Sequence, residues 1–345
     1  MFKNALFFRI AEDFVLPPLE ALEEALQRAR FVPCGATQPE SMGWIAPRGN
    51  KSLALAETIG GQLILKLCTE RRALPASAVK AALDERIEKH KAETGLERVS
   101  ARIKKEMKEE VVQDLLPRAF SKKSSTLLWL DPVHKFLVVD SSSLAGADKV
   151  VTALVEALSE VPGALPTLGA RPVQTQTSAA AAMSHWLTTQ EAPWNFSVDR
   201  DCELKAPDEQ KSAVRYSRHT LEIDEVAQHI AAGKLATQLA LTWNERVSFV
   251  LTETGLVRKL KLLDVVMDGV QEGGKDDDGF DTDAAILTGE LSALIPDLLE
   301  ALGGEMGEAQ AQAPAARADP QASSRESEPA AALAVPAGAE APPWD

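Results

Sequence analysis

The sequence is short of the residues and motifs on which catalysis usually depends. It has three cysteines and five histidines among 345 residues, and their spacing does not match that of metal ligands. It contains no GxxxxGK(S/T) phosphate loop, no GxGxxG turn after a strand and no GxSxG nucleophile elbow. We therefore expect a protein that is not an enzyme and that needs neither a cofactor nor a metal.

Long apolar runs are also absent. No stretch reaches the length of about 18 apolar residues that a membrane-spanning helix needs, and the N-terminus lacks the pattern of a signal peptide. The cysteines, Cys34, Cys68 and Cys202, are far apart and odd in number, which fits buried thiols in a reducing compartment. These features predict a soluble cytoplasmic protein without a membrane partner.

The negative charge is concentrated at one end of the chain. The formal net charge is −14, with 37 basic and 51 acidic residues. From Asp264 onward there are 18 acidic and 3 basic residues, which leaves 34 basic and 33 acidic residues before it. Because electrostatic effects depend on where charge lies, a nearly neutral body can still carry a basic surface.

The stretch Leu115–Asp140 combines cations, hydroxyls and an aromatic residue. After the break at Pro117 it predicts a basic loop with Phe120 displayed at its tip, mounted on a β-hairpin of Thr126–Leu130 and Phe136–Val139. Cations and hydroxyls suit phosphate oxygens, and an aromatic ring suits stacking on bases. Packing of Phe120 at a core edge, with solvated lysines around it, is the alternative. The candidate DNA-binding residues here are Arg118, Phe120, Ser121, Lys122, Lys123 and Ser124.

A second basic segment lies in the later part of the chain. It holds the candidates Arg215, Arg218 and His219 around Tyr216, and it is preceded by Lys205 and Lys211. An acidic cluster, Asp276, Asp277, Asp278, Asp281 and Asp283, is the one conceivable nuclease site, but it lacks a partner Glu or Lys at a suitable spacing. We interpret the cluster as a solvated loop.

The remaining patterns predict an α+β fold. A strand at Leu6–Ile10, a helix after Pro17 and a hairpin around Gly60-Gly61 form a first sheet with a helix on it. Helices at about 76–93 and 97–116 form a projecting hairpin tip, whose charges are either a DNA-facing stripe or ordinary i,i+4 pairs. A second β-rich body follows a Gly/Pro linker. The predicted domains are a central domain (1–74 and 117–165), a tip (75–116), a base (172–304) and a disordered acidic Ala/Pro-rich tail (305–345).

Several strings of this sequence resemble the RdgC family of bacterial recombination-associated proteins. They are LLPRAFSK with its WLD hairpin, FVPCG at 31–35, MGW at 42–44, HIAAGK at 229–234, LALTWNERVSFVL at 239–251 and LTGELSALI at 287–295. The family pattern places DNA-contacting Lys and Gln just before the HIAAGK helix. Arg218 keeps the cation there, whereas His219 is a weaker and pH-sensitive donor.

The resemblance implies a ring-forming homodimer closed through helical tips and sheet-bearing bases. Such a ring would encircle double-stranded DNA without sequence preference, associate with the nucleoid and restrain the recombinase that forms filaments on DNA. Single-stranded DNA stays open as a second partner. The residues alone leave two alternatives: an adaptor that contacts the recombination machinery without binding DNA, and a nuclease that uses Asp281 and Asp283.

Overall fold

The computed structural model describes residues 2–163, 167–208, 212–221, 223–267 and 279–307. Three predictions fall outside them: the basic residue Lys211, the acidic run Asp276–Asp278, and nearly all of the C-terminal tail. The described residues form a mixed α+β fold, which confirms the predicted class.

Twelve strands are defined in the described residues. They are β1 (Asn4–Arg9), β2 (Glu40–Ile45), β3 (Ala56–Ile59), β4 (Gln62–Ala73), β5 (Phe120–Asp131), β6 (Phe136–Val139), β7 (Arg171–Pro172), β8 (Phe196–Lys205), β9 (Ala213–Tyr216), β10 (Leu235–Trp243), β11 (Val247–Thr252) and β12 (Val257–Leu262).

Eight α-helices accompany the strands. They are α1 (Leu19–Arg28), α2 (Ala76–Thr94), α3 (Ala101–Leu115), α4 (Leu144–Ser159), α5 (Ala179–Thr189), α6 (Asp224–Ala231), α7 (Asp264–Met267) and α8 (Phe280–Ala301). The prediction that the second tip helix starts at 97 was wrong, because the Ser100 hydroxyl accepts a hydrogen bond from the Ile103 N–H and so caps the helix at that point.

The strands form one antiparallel sheet in the order β2-β4-β5-β6-β1-β12-β11-β10-β8-β9, with β3 added to β4 and β7 to β1. Strand β1 joins the two halves, since Asn4 and Ala5 pair with β12 whereas Leu6–Arg9 pair with β6. The sheet thus continues through both predicted bodies. The proposed division into central, tip and base domains stays a prediction.

Two hydrophobic cores lie on opposite faces of the sheet where β1, β5 and β6 run. Leu128 and Leu130 of β5 belong to the core that includes α1 and α4. Trp129, between them in the chain, belongs to the core that includes α5 and α8. The alternation follows from the two-residue period of a strand, and it fixes which way the side chains in the first half of β5 face.

The helices α2 and α3 form a hairpin held by few buried side chains. Arg86 of α2 pairs with Glu110 and Asp114 of α3, at 3.2 and 3.1 Å. Within these two helices the buried residues are Val79, Met107 and Val111. Leu96, in the turn between the helices, is exposed.

The turn between β5 and β6 is organised by the buried carboxylate of Asp131. Its Oδ1 accepts the N–H groups of Val133 and His134 at 3.0 and 2.9 Å, and its Oδ2 lies 2.8 Å from His134 Nδ1. Burial acts to raise the pKa of Asp131, but the bonds from His134 and Val133 outweigh it and lower the pKa overall.

We expect Asp131→Asn to lower the free energy of unfolding by about 1 to 2 kcal/mol at pH 7, because the buried, charged acceptor of these hydrogen bonds is lost. A carboxylate whose pKa is lower in the folded state contributes stability above its unfolded pKa and loses it as the pH falls through the folded pKa. The difference between wild type and variant should therefore narrow from pH 7 to pH 3. Urea unfolding at both pH values measures it, and an unchanged difference would contradict the assignment.

Candidate nucleic-acid interface

The first half of β5 is a strand with exposed side chains, not the loop that the sequence predicted. Residues 120–130 pair with β4, from Phe120 opposite Ala73 to Leu130 opposite Leu63. The prediction of a loop was wrong because the long neighbouring strand β4 supplies main-chain partners that no local pattern reveals. Phe120 is 89% exposed, which confirms that its ring is displayed.

Because it is a strand, this segment distributes its candidate residues over two faces. Counting back in steps of two from Leu128 places Phe120, Lys122 and Ser124 on the face of α4. The same count from Trp129 places Ser121 and Lys123 on the opposite face. Thus the two lysines flank the strand from both sides and do not form one cluster.

On the α4 face, Lys122 lies directly across from Arg71 of β4. Arg71 Nε contacts Glu40 at 3.1 Å, and Lys149 Nζ of α4 contacts the same carboxylate at 3.0 Å. Burial acts to raise the pKa of Glu40, but hydrogen bonds from Lys149 and Arg71 lower it overall. Two cations thus bind one carboxylate and Lys122 lies beside one of them, so this group of four side chains carries an excess of positive charge.

On the opposite face, Lys123 lies across from Glu70, and its Nζ is 5.2 Å from the centre of the Phe31 ring. Glu70 is buried, and its Oε2 accepts the Cys34 N–H at 2.8 Å. This bond and one from the Ser121 hydroxyl lower the pKa of Glu70. Ser121 is therefore occupied by an internal partner, and Glu70 balances part of the charge of Lys123.

Arg72 was not singled out in the sequence, yet it holds the start of β5 in place. Its Nη1 donates to the carbonyls of Leu116 and Ala119 at 3.1 and 3.3 Å, and its Nε donates to that of Gly35 at 3.2 Å. These bonds tie the turn that carries the exposed Arg118 to β4. Arg72 is far in the sequence from Gly35, Leu116 and Ala119, so these groups meet only in the folded structure.

The second basic segment begins at the edge strand β9 and turns after Tyr216. Arg215 lies opposite Glu203 of β8, and Tyr216 is buried, so its ring is not available for stacking. Arg218 adopts a left-handed φ of 55°, and its N–H donates to Asp201 Oδ1 at 2.8 Å. The exposed side chains of Arg215, Arg218 and His219 thus remain candidates. Six strands separate β5 from β9 in the sheet order, so the two basic segments are not neighbours.

The bond from Arg218 is the first cause of the lowered pKa of Asp201, followed by burial, which opposes it, and a bond from Ser217. We expect Asp201→Ala to make this turn less ordered. The Arg218 N–H then loses its acceptor, and no side-chain bond holds the residue in its strained φ. Trypsin should cleave after Arg218 about tenfold faster, in line with the loss of about 1.5 kcal/mol, the lower end of the range for a hydrogen bond to a charged group. Equal rates in folded wild type and variant would show that the turn does not depend on Asp201.

The described part of the acidic cluster, Asp281 and Asp283, belongs to no metal-binding group. Among the described residues no group of three or more His, Cys, Asp or Glu side chains could hold a metal ion. Asp281 is instead paired with Arg48. In the same part of the chain, no helix is long and apolar enough to cross a membrane.

Comparison with known proteins covers nearly all of the described chain. The family model "Putative exonuclease, RdgC" matches residues 1–305. The "Recombination-associated protein RdgC" of Dechloromonas aromatica is 41% identical over 312 residues, 89% of this chain and 99% of that protein. The protein of the same name from Herminiimonas arsenicoxydans is 41% identical over 305 residues (88% and 98%), and that from Bordetella pertussis is 38% identical over the same length and the same shares. The chain therefore belongs to the RdgC family of recombination-associated proteins.

Proposed function

We propose that this protein binds duplex DNA through phosphate contacts, with little dependence on base sequence, and thereby restrains a recombinase filament during homologous recombination. The observation that supports this most directly is the exposed half of β5. It presents Phe120 beside Lys122 and Lys123, and Arg118 lies just before it. Lysine and arginine side chains suit the phosphate backbone, and an exposed aromatic ring suits contact with bases or a groove wedge.

A closed ring of two copies is the assembly that this function favours. Two segments of one chain, around β5 and around β9, carry candidate cations although they lie far apart in the sheet order. A ring that surrounds the duplex would bring both segments to the same partner. The exposed Leu96, in the turn between α2 and α3, supports the helical hairpin as one contact between copies.

Fluorescence anisotropy of labelled random-sequence duplexes over a salt series tests the proposal. We expect the logarithm of the binding constant to fall steeply with the logarithm of salt concentration, because each neutralised phosphate releases about one counterion. Duplexes rich in A·T or in G·C should bind alike, since phosphate contacts carry no sequence information. Absence of binding at low salt by a folded dimer would refute the proposal.

The second candidate function is an adaptor that contacts the recombination machinery without DNA. The open, apolar Leu96 turn favours it, and partner binding that is insensitive to salt, together with no DNA binding, would establish it.

The exonuclease activity in the family description is not part of the proposal. That activity would be established by magnesium-dependent degradation of DNA that is lost in an Asp281→Asn/Asp283→Asn variant.

A further inference from the structure

Within the part of the chain that the structure describes, strand β5 has one side without a partner strand over half of its length. On one side, β4 pairs with residues 120–130. On the other side, β6 pairs only with residues 128–131, and the Asp140 N–H then reaches the Leu127 carbonyl at 2.9 Å. No other described strand pairs with β5. The side of residues 120–126 that faces away from β4 is therefore open.

The direction of the Leu127 carbonyl identifies the groups on this side. In a strand, the N–H and C=O of one residue point to the same side, and the side alternates with each residue. Because Leu127 points toward β6, Ser121, Lys123 and Ser125 point the same way, where β6 no longer reaches. We call their outward N–H and C=O groups the open edge.

The open edge fits a polypeptide better than it fits DNA. It alternates three donors with three acceptors along the strand. A phosphate backbone offers acceptors only, and its oxygens would meet the carbonyls of the edge. An extended peptide offers donors and acceptors with the same alternation, so it can be added as a further strand.

The charges beside the open edge indicate which kind of peptide would bind there. Lys122 and Lys123 flank the edge on its two faces, and Lys122 lies beside Arg71. A second copy of this edge, paired antiparallel about Lys123, would bring like charges opposite each other, which is unfavourable. Lysine on an edge strand is a common protection against such self-pairing. An acidic segment would instead place its carboxylates beside these cations.

We propose that the open edge of β5 binds an acidic, extended segment of another protein by strand addition. While bound, the segment occupies Lys122 and Lys123 and excludes DNA from them. The exclusion rests on the proposed DNA-binding function, whereas the strand addition does not. The peptide partner thereby regulates access to DNA.

The test uses a labelled eight-residue peptide of alternating glutamate and threonine, with the full-length protein. Its counterpart carries the same side chains and charge but is N-methylated at every residue, so that neither of its edges can donate hydrogen bonds to the open edge. We expect the plain peptide to bind at least tenfold more tightly in anisotropy measurements, because it alone can form main-chain hydrogen bonds along the open edge. Equal binding of both peptides would mean charge attraction alone, and no binding of either would also overturn the proposal.

Protein variants provide a second comparison. Ser125→Pro removes one outward donor while leaving both lysines, and proline is tolerated on an open edge; Ser125→Ala is the matched control. Peptide affinity should fall about tenfold in the first variant and stay unchanged in the second. If Ser125→Pro does not fold, the two peptides on wild type decide the question. A wild-type dimer that becomes monomeric with Ser125→Pro in sedimentation would assign the edge to a contact between copies and overturn the proposal.

Competition separates this inference from the proposed function. The plain peptide should displace labelled duplex from the wild-type protein, and the methylated peptide should not. Peptide binding without displacement would overturn the exclusion of DNA but not the strand addition. If wild type binds the peptide and no DNA, the proposed function fails while the strand addition stands.

Discussion

Reversing both charges beside the edge, Lys122→Glu with Lys123→Glu, is expected to weaken duplex binding on the order of 100-fold at low salt. The side chains lie on opposite faces of β5, so one straight phosphate row cannot reach both equally. If the proposed function holds, they would contact different strands of the duplex, or contact it from different copies of a dimer. The slope of the salt dependence should fall by about two, one for each lost phosphate contact.

The single reversals distinguish the two faces. Lys123 is partly balanced by Glu70, whereas Lys122 lies beside Arg71 in the more positive surroundings. Lys122→Glu should therefore cost more affinity than Lys123→Glu. Equal losses of duplex affinity would show that the Glu70 carboxylate does not weaken the contribution of Lys123.

The matched control places the same change of charge on the helical hairpin. Lys89 and Lys105 are exposed, and each lies 4.0 Å from a glutamate four residues later, Glu93 and Glu109. If these lysines form ordinary pairs on a solvated surface, Lys89→Glu with Lys105→Glu should change affinity less than about threefold, because exposed pairs contribute little. An equally large loss from the control would show that net charge alone decides binding, or that the hairpin faces DNA.

The residues around β5 show what the sequence could and could not predict. The displayed Phe120 followed from its polar neighbours, and the hairpin to β6 followed from two apolar runs around Asp131. The strand form of residues 120–125 did not follow, because exposed polar residues with no apolar alternation look like a loop. Once the strand is known, its two-residue period alone separates Lys122 from Lys123.

The side chains that organise the site could not be predicted from the sequence, for a different reason. Arg72, Glu70 and Glu40 act through partners 30 to 110 residues away in the chain, such as Cys34, Ala119 and Lys149. Such pairs depend on the register between strands and on where a helix crosses them. Likewise, Tyr216 is buried because it lies across from Cys202 in the core, which the pattern of its own segment does not determine.

Gly43 of β2 should be among the least replaceable residues of the fold. A Cβ atom there would lie against Cα of Phe31, 2.5 Å from the Phe31 nitrogen and 2.8 Å from the carbonyl carbon of Arg30. These are main-chain atoms held on both sides, since the Phe31 N–H donates to Trp44 O and the Trp44 N–H donates to Ala29 O, each at 3.0 Å. The crossing chain cannot move away without breaking these bonds around the buried Trp44.

Gly43→Ala is therefore expected to lower the free energy of unfolding by about 3 kcal/mol or more, the upper range for overpacking. The matched control is Gly289→Ala inside α8, where an added Cβ meets nothing within 4 Å. That change should raise stability by about 0.5 to 1 kcal/mol, because alanine favours a helix over glycine. Urea unfolding of both variants measures the contrast.

Since the displaced Phe31 also lies under Lys123, the folded fraction of Gly43→Ala should bind duplex DNA more weakly as well. A Gly43→Ala protein with the unfolding midpoint of wild type would mean that the chain at Arg30 and Phe31 is free to shift, and that its close approach to β2 does not fix the position of Lys123.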